Sequence, residues 1–224
     1  MNQKKRKTAS QGLYLKPNEA ISDDFLKKLK TINSNYSKNK QFLKYKLAIK
    51  KLFQVDLINQ TLKSKFFLGG FLEGEASLNV GIKKNKESKF KLYIDPEFSI
   101  AQNINGFSNL YLALCVFETG RIRFKTGSRA TFVYTIDNRE NLKQKVIPFY
   151  EKFVVPYGSI VKQKRLKIFK KLLILFENKA HLNLNSMLYE VLPLWDLLRM
   201  QKGQANESFK NLQEAQNFIK KAQI

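Results

Sequence analysis

Two carboxylates one residue apart, Glu73 and Glu75, are the side chains of this chain best suited to chemistry. They end a run of apolar residues and glycines that begins at Phe66. A carboxylate can bind a hard divalent cation or carry a proton. The only cysteine, Cys115, lies in an apolar run, and the only histidine, His181, lies in a polar stretch. This rules out an internal disulfide and a Cys/His zinc site and argues against histidine-dependent triads. Chemistry is therefore left to carboxylates, lysines and amides, with or without a hard metal ion.

The composition indicates a folded protein with a strongly basic surface. The 224 residues carry a formal charge of +23, from 41 Lys and Arg against 18 Asp and Glu, and 43% of them are hydrophobic. Disordered chains contain fewer large apolar residues, so the charge favours a polyanionic partner such as nucleic acid. A membrane surface is the alternative partner, but no apolar run is long enough to span a bilayer and no signal-peptide pattern is present.

The glycine-rich run before the two carboxylates has two interpretations. At helical spacing, Phe67, Phe71 and Glu75 form one line, and Phe66, Gly70 and Gly74 form the neighbouring line. Each glycine costs a helix about 1 kcal/mol, which a second helix packed close against the bare line would offset. A glycine turn between two apolar strands is the alternative.

After Glu75 the period of the apolar residues changes from helical to alternating. Alternation over 78–82 and 90–102 predicts two strands with a turn at 84–88 and a break at Pro96. A second pair is predicted at 121–125 and 132–136, beyond an apolar helix over 106–117. Two hairpins of the same polarity predict one four-stranded antiparallel sheet, with helices on one face and a ligand on the other.

The third predicted strand carries a basic row on its polar face. Arg121, Arg123 and Lys125 alternate with Ile122 and Phe124. Three neighbouring cations repel one another unless a polyanion lies against them, although an ordinary solvated face is the alternative. The next strand is expected to turn Arg129, Thr131, Val133 and Thr135 to this same face. A dense positive cluster at 162–167 opens a later helix and opposes the helix dipole, so it is expected near phosphates.

The rest of the chain is predicted to be helical. Two amphipathic, basic helices are expected before residue 62, the first capped by Ser22. Further helices are expected over 139–153, 162–176, 188–198 and 209–219, with Tyr189 and Trp195 in a core or an interface.

Residues 68–76, Leu-Gly-Gly-Phe-Leu-Glu-Gly-Glu-Ala, resemble the motif that names the LAGLIDADG homing endonucleases. The order of hairpins and helices that follows is similar to that family's αββαββα core. Residues 95–98, 119–123 and 204–207 resemble a subgroup of single-motif, homodimeric enzymes encoded in chloroplast large-subunit rRNA introns. The resemblance implies an α+β fold in three parts: a basic helical extension over 1–62, the endonuclease core over 63–180 and C-terminal helices over 181–224.

The resemblance also implies roles for individual residues. Glu75 matches the family's metal-binding acid and Glu73 an acid that is usually structural. Gln102 matches a glutamine that positions solvent, and Lys162 or Lys164 matches the basic residue that stabilises charge on the phosphate. The implied cofactor is Mg²⁺, or another divalent cation such as Mn²⁺ or Ca²⁺ in its place.

A single motif implies a homodimer in which the motif helices of two subunits pack together. Gly70, Gly74 and Phe71 are the expected interface residues. Such a dimer would suit a pseudo-palindromic site in double-stranded DNA. The expected DNA-reading residues lie on the outward strand positions: Asn79, Lys83, Lys91, Tyr93, Arg121, Arg123, Lys125, Arg129 and Thr131.

The function implied by the resemblance is a Mg²⁺-dependent endodeoxyribonuclease that promotes intron homing. The chain departs from the family pattern in that both acids are Glu instead of Asp, Gly69 replaces Ala, Ala76 replaces the closing Gly, and Gly106 stands where some relatives carry a basic residue. An intron maturase or a catalytically inactive nucleic-acid-binding protein of the same fold is the alternative, and a ribosome-associated RNA-binding protein is a third. Lysine outnumbers arginine 34 to 7, which fits synthesis from an AT-rich organellar genome. The chloroplast is the expected organelle, and the mitochondrion is the second choice.

Overall fold

The computed structural model describes residues 13–16, 19–56, 60–199 and 208–222. The motif at 204–207 lies outside the described residues. The strands in the described residues are β1 (Ala76–Lys84), β2 (Leu92–Asn103), β3 (Arg121–Phe124) and β4 (Thr131–Ile136). They form one antiparallel sheet in the order β1, β2, β4, β3, which confirms the predicted sheet. The chain divides into two compact units, and β2 contributes to both: Met1–Ala76 with Ser99–Ile136, and Ser77–Phe98 with Asp137–Ile224.

In its described residues, the first unit contains four α-helices, two complete strands and the end of β2. The helices are α1 (Asp23–Asn39), α2 (Phe42–Phe53), α3 (Leu62–Glu75) and α4 (Phe107–Phe117), and the strands are β3 (Arg121–Phe124) and β4 (Thr131–Ile136). Ser22 caps α1 as predicted, because its hydroxyl accepts a hydrogen bond from Phe25 N. The glycine-rich run is helical, as the resemblance to the motif helix implied, and the alternative of a glycine turn is excluded. Thr61 caps this helix by accepting from Ser64 N, while Leu68 and Leu72 are buried on the side that packs against α4.

Aromatic rings form the centre of this unit. The rings of Phe53 and Phe107 stack with centroids 3.5 Å apart, and Phe25 and Phe132 each meet Phe53 edge-on at 4.9 Å. These four side chains come from α2, α4, α1 and β4. Their packing joins the N-terminal helices to the sheet that carries the basic row.

The second unit contains β1, the start of β2 and the C-terminal helices. The strands are β1 (Ala76–Lys84) and β2 (Leu92–Asn103), and the helices are α5 (Arg139–Asn141), α6 (Ile147–Phe153), α7 (Ile160–Glu177), α8 (Leu184–Ser186), α9 (Leu192–Leu198) and α10 (Leu212–Lys221). Phe98 on β2 meets Tyr150 on α6 edge-on, and Trp195 on α9 is buried. Lys84, at the end of β1, lies 5.3 Å from the ring centroids of both Phe209 and Phe218.

Two prolines lie inside helical runs of this unit without ending them. The α5–α6 run passes through a π-helical turn, Leu142–Val146, directly before Pro148 enters the first turn of α6. The α8–α9 run repeats this with Met187–Val191 and Pro193. A wider turn and a place in the first turn of the next helix both suit a residue that has no N–H to donate.

Three details differ from the predictions, and the first is Pro96. Strand β2 runs unbroken through Pro96. Its neighbour β4 has six residues against twelve, and Ile104 N donates to Ala130 O where the pairing begins. Counting antiparallel pairs from that bond places the last residue of β4 opposite Phe98 of β2. Pro96 lies beyond this point, so its missing N–H is not needed for pairing with β4.

The second difference is at Phe90, which was expected to begin the strand. It lies instead in a short turn, Lys89–Lys91, with φ of 63°, and its ring is buried. The third is Thr135, which was expected to face outward but is 3% exposed. The chain at Gly120 lies against it, and a Cβ at Gly120 would come within 2.5 Å of Thr135 O. Tyr189 is 64% exposed, so it is not in the core.

No helix among the described residues is long and apolar enough to cross a membrane.

Candidate nuclease site

The exposed carboxylate of Glu75 ends the motif helix. Glu75 is the last residue of α3, and Ala76 continues directly into β1 with extended backbone angles. The last turn of α3 contains no basic residue. The C-terminal end of a helix carries partial negative charge, so a glutamate there does not stabilise the helix. The same negative end, together with a carboxylate, attracts a cation.

Burial distinguishes the two acids of the motif. Glu73 is half-buried, whereas Glu75 is exposed to solvent. A ligand arriving from outside the chain can therefore reach Glu75 more easily than Glu73. This difference is what the expected division between a metal-binding and a structural acid requires.

Gln102 lies near the end of β2, at the same end of the sheet as Glu75. Strands β1 and β2 are antiparallel neighbours joined through the turn in which Asn85 N donates to Lys91 O. The start of β1, which directly follows Glu75, therefore lies beside the end of β2. The Oε1 of Gln102 accepts a hydrogen bond from Asn103 N at 2.8 Å, and the side chain lies against Gly106.

Lys162 and Lys164 lie in the second unit, in the first turn of α7. Ser159 caps this helix by accepting from Lys162 N at 3.3 Å. Lys162 is half-buried and Lys164 is exposed. The helix begins at Ile160, two residues earlier than predicted.

Arg165 is a positioning residue that the sequence analysis missed. Its Nε donates to Leu78 O at 2.7 Å, which ties the second turn of α7 to the start of β1. Burial lowers the pKa of the Arg165 guanidinium below its ordinary value, although an arginine remains protonated. Four cations lie within residues 162–167, and the sequence did not distinguish Arg165, whose guanidinium is anchored, from the other three.

The expected DNA-reading residues occupy the polar positions of the four strands and their ends. Exposed members are Asn79, Lys83, Lys91, Tyr93, Arg123, Lys125 and Arg129, and half-buried members are Arg121 and Thr131. In the ladder between β3 and β4, Arg121 pairs with Thr135 and Arg123 with Val133. The alternating residues Ile122, Phe132 and Tyr134 are completely buried. The outward positions therefore form a basic surface, and their contact with DNA stays a prediction.

Two side chains from the N-terminal helices hold the outer edge of this surface. Ile122 N donates to the Tyr45 hydroxyl at 2.7 Å, and Ile122 O accepts from Asn33 Nδ2 at 2.9 Å. The Tyr45 hydroxyl in turn donates to Asn33 Oδ1 at 3.1 Å. Burial raises the pKa of Tyr45 above its ordinary value, so the hydroxyl keeps the proton that it donates. These bonds occupy the outer backbone groups of Ile122 on β3, an edge strand that would otherwise be open to pairing.

Among the described residues, one side of α3 exposes apolar side chains and has open space beside two glycines. A Cβ built on Gly70 or Gly74 would meet nothing within 4 Å. Phe66 and Phe67, one and two turns before these glycines, are 42% and 58% exposed, while the expected interface residue Phe71 is half-buried. We call Phe66, Phe67, Gly70 and Gly74 the open face of α3. The sequence analysis placed the glycines on a bare line but did not list the two phenylalanines as interface residues.

The described residues contain no group of three or more His, Cys, Asp or Glu side chains that could hold a metal ion. Mg²⁺ is commonly held by one or two carboxylates together with substrate phosphate oxygens. Glu75, exposed at the helix end, fits a site of that shared kind.

Known proteins provide the decisive comparison. A family model described as LAGLIDADG endonuclease matches residues 68–173. The DNA endonuclease I-CeuI of Chlamydomonas moewusii is 54% identical over 206 residues, which cover 92% of this chain and 94% of that protein. The chain belongs to the LAGLIDADG endonuclease family. This confirms the resemblance found in the motif.

Solved structures of LAGLIDADG proteins agree with the fold. The group I intron-encoded homing endonuclease I-CeuI, solved in complex with DNA, matches with a TM-score of 0.89 and 53% identity, covering 92% of this chain and all of that one. The archaeal intron-encoded homing endonuclease I-Vdi141I, also solved with DNA, matches with a TM-score of 0.62 and 26% identity over 74% of this chain. The α+β class and the four-stranded sheet are confirmed.

Proposed function

We propose that this chain is a homing endonuclease that, as a homodimer, makes a double-strand break in a long pseudo-palindromic DNA site. The observation that carries the proposal is 54% identity to the DNA endonuclease I-CeuI over nearly the full length of both proteins. An intronless large-subunit rRNA gene is the proposed target, and intron mobility is the proposed outcome. The organism of this relative supports an organellar origin, with the chloroplast as the proposed compartment.

The open face of α3 is the proposed dimer contact. Exposed phenylalanines beside bare glycines leave apolar surface in water in the single chain, and a second copy of the same helix can cover it. Because a two-fold axis pairs the same patch with itself, the two Glu75 carboxylates would come to the centre of the dimer. Two such centres suit the two strands of a duplex.

Glu75 is the proposed metal-binding residue, and Mg²⁺ is the proposed ion, with Mn²⁺ or Ca²⁺ able to bind in its place. When bound between the carboxylate and phosphate oxygens, such an ion activates water and stabilises negative charge on the departing 3′ oxygen. Gln102, at the same end of the sheet, has an amide suited to orienting a water molecule. Lys162 and Lys164 are proposed to stabilise negative charge on the phosphate, and Arg165 to position the helix that carries them.

The polar face of the sheet is proposed to lie in the DNA grooves. Arginine and lysine suit guanine edges in the major groove, and Asn79 suits adenine. The segments 1–62 and 181–224 are proposed as extensions of the core over 63–180. Within the described residues, Tyr45 and Asn33 of the first extension support this, because they fix the edge of β3 that carries Arg121 and Arg123.

The test is to incubate the protein with a duplex from the intronless host gene and Mg²⁺. The expected result is one discrete double-strand cut. Glu75→Gln removes the metal-binding charge while keeping the shape of the side chain, so cleavage falls below detection and DNA binding is largely retained. Glu87→Gln, at an exposed position in the turn before β2, is the matched control and cleaves normally. Cleavage by Glu75→Gln at the wild-type rate would refute the role of Glu75, and the absence of any cut by the wild type would favour a binding function.

A further inference from the structure

A cleft of about 490 Å³ lies in the first unit, beside the proposed solvent-positioning residue Gln102. The residues that matter here are Tyr14, Lys16, Glu19, Gln102, Gly106 and Arg129, all of which line it. The cleft is therefore formed from two distant parts of the chain. One is the N-terminal segment 13–16, which we call the strap, and the other is the end of β2 with the start of β4.

The strap is held at the cleft by the side chain of Asn105. Leu15 N donates to Asn105 Oδ1 at 2.8 Å, and Asn105 Nδ2 donates to Leu15 O at 2.8 Å. The amide thus pairs with the backbone of Leu15 as a neighbouring strand would. Asn105 is itself fixed, because its N–H donates to Asn103 Oδ1 at 3.0 Å. Beyond the strap, Ile21 N donates to Arg129 O at 3.0 Å, so the segment is held on both sides of the cleft.

Gly106 lines this cleft next to Gln102 and brings no charge to it. A Cβ at position 106 would lie 2.8 Å from Gln102 Cδ and 3.0 Å from its Cγ. A larger residue there would force Gln102 to move. Position 106 therefore supplies space for Gln102 and no charge of its own.

Lys16 and Arg129 bring two positive charges to the same cleft. Glu19 also lines it, but its Oε2 accepts a hydrogen bond from Lys16 N at 2.7 Å, so this carboxylate is engaged with the backbone of the strap. With two cations and one carboxylate, the cleft has a net positive charge. Such a cleft suits a phosphate oxygen of nucleic acid.

We infer that the strap completes the DNA-binding surface: Lys16, with Arg129, binds a DNA phosphate in the cleft beside Gln102. This rests on the proposed function, since it concerns the same DNA site. It makes Lys16 a phosphate-binding residue supplied by the N-terminal extension, next to the uncharged position Gly106.

The test is the salt dependence of DNA binding by Lys16→Gln. When each subunit of the dimer loses one phosphate contact, the plot of log K against log salt concentration should become less steep, its negative slope decreasing in magnitude by about 2. DNA binding should weaken about tenfold. Binding is measured by fluorescence anisotropy with Ca²⁺, on a duplex from the intronless host gene and on a random duplex. Lys30→Gln, an exposed lysine of α1 that does not line the cleft, removes the same charge and should leave the slope unchanged.

A second variant tests the strap itself. Asn105→Ala removes both bonds to Leu15, so it should lower the salt slope as Lys16→Gln does, and the double variant should add little to either. An unchanged slope in Lys16→Gln, or an equal fall in Lys30→Gln, would overturn the inference. If either result is found while the wild-type protein still cleaves DNA, the inference about the strap fails and the proposed function stands. A wild type that binds but does not cut refutes only the proposed function, because the slope can still be measured.

Discussion

Helices α3 and α4 both carry large apolar side chains, but they have different surroundings. In α4, eight of eleven residues are buried, whereas in α3 only three of fourteen are buried. The sheet and neighbouring helices complete the environment of α4 within the chain. The environment of α3 is incomplete, because its open face meets solvent.

This difference teaches that apolar composition alone does not tell which surface a helix will cover. A helix that is apolar all round is expected to be buried. For α4, folding explains the composition. For α3, folding explains Leu68 and Leu72 but not Phe66 and Phe67, so these two indicate a contact that forms after folding.

The largest expected effect comes from filling the open face. A Cβ at position 74 would meet no atom of the described residues within 4 Å, and leucine is a better helix former than glycine, so the Gly74→Leu subunit should still fold. The added side chain should keep two copies of α3 apart and abolish both the dimer and cleavage. Sedimentation velocity and a cleavage assay measure this, with Lys171→Leu on the exposed side of α7 as the control. A Gly74→Leu protein that remains a fully active dimer would show that the interface lies elsewhere.

The matching change in α4 should act on folding instead. Leu110 is completely buried, so Leu110→Ala should lower the free energy of unfolding by about 2–5 kcal/mol. Urea denaturation followed by circular dichroism measures the change. Leu43→Ala, at a position of α2 that is 63% exposed, is the matched control and should have little effect. Similar losses from both variants would contradict the described burial.

The outer backbone groups of Ile122, at the edge of β3, find their hydrogen-bond partners within the chain. Tyr45→Phe leaves Ile122 N–H without its acceptor at a buried position, which should cost about 1–3 kcal/mol of stability. Tyr189→Phe removes the same hydroxyl from a side chain that is 64% exposed, and it should change stability by less than about 0.5 kcal/mol. Equal denaturation midpoints for the two variants would show that the Tyr45 bonds contribute nothing to stability.

Local periodicity predicted most of the elements but not the contacts between distant segments. The change from helical to alternating spacing after Glu75 located β1, and Ser22 located the start of α1, because both signals lie within a few residues. Pro96 misled the strand prediction, since its tolerance depends on where β4 ends. Thr135 was predicted to face outward but is buried, because the chain at Gly120, 15 positions away, lies against it.

The same limit applies to the candidate site. Glu75 and Gln102 could be proposed from the motif and its resemblance, because their roles are written into local sequence. Arg165 could not, since its partner is the backbone of Leu78, 87 positions away. Asn105 and the strap are likewise 90 positions apart. No spacing rule connects such pairs, and one chain alone cannot show what covers Gly70 and Gly74.

The smallest expected effect on folding separates α3 from α4 most clearly. Phe67 is 58% exposed, so at protein concentrations where the subunit is monomeric, Phe67→Ala should change its unfolding free energy by less than about 0.5 kcal/mol. Dimer dissociation should nevertheless become about tenfold more favourable, because an aromatic side chain at the centre of an interface commonly contributes more than 1 kcal/mol. Dilution experiments on labelled subunits measure the second quantity, and denaturation at low protein concentration measures the first. A variant that is destabilised as a monomer, with unchanged dimer affinity, would place Phe67 in the core of its own chain and make α3 equivalent to α4.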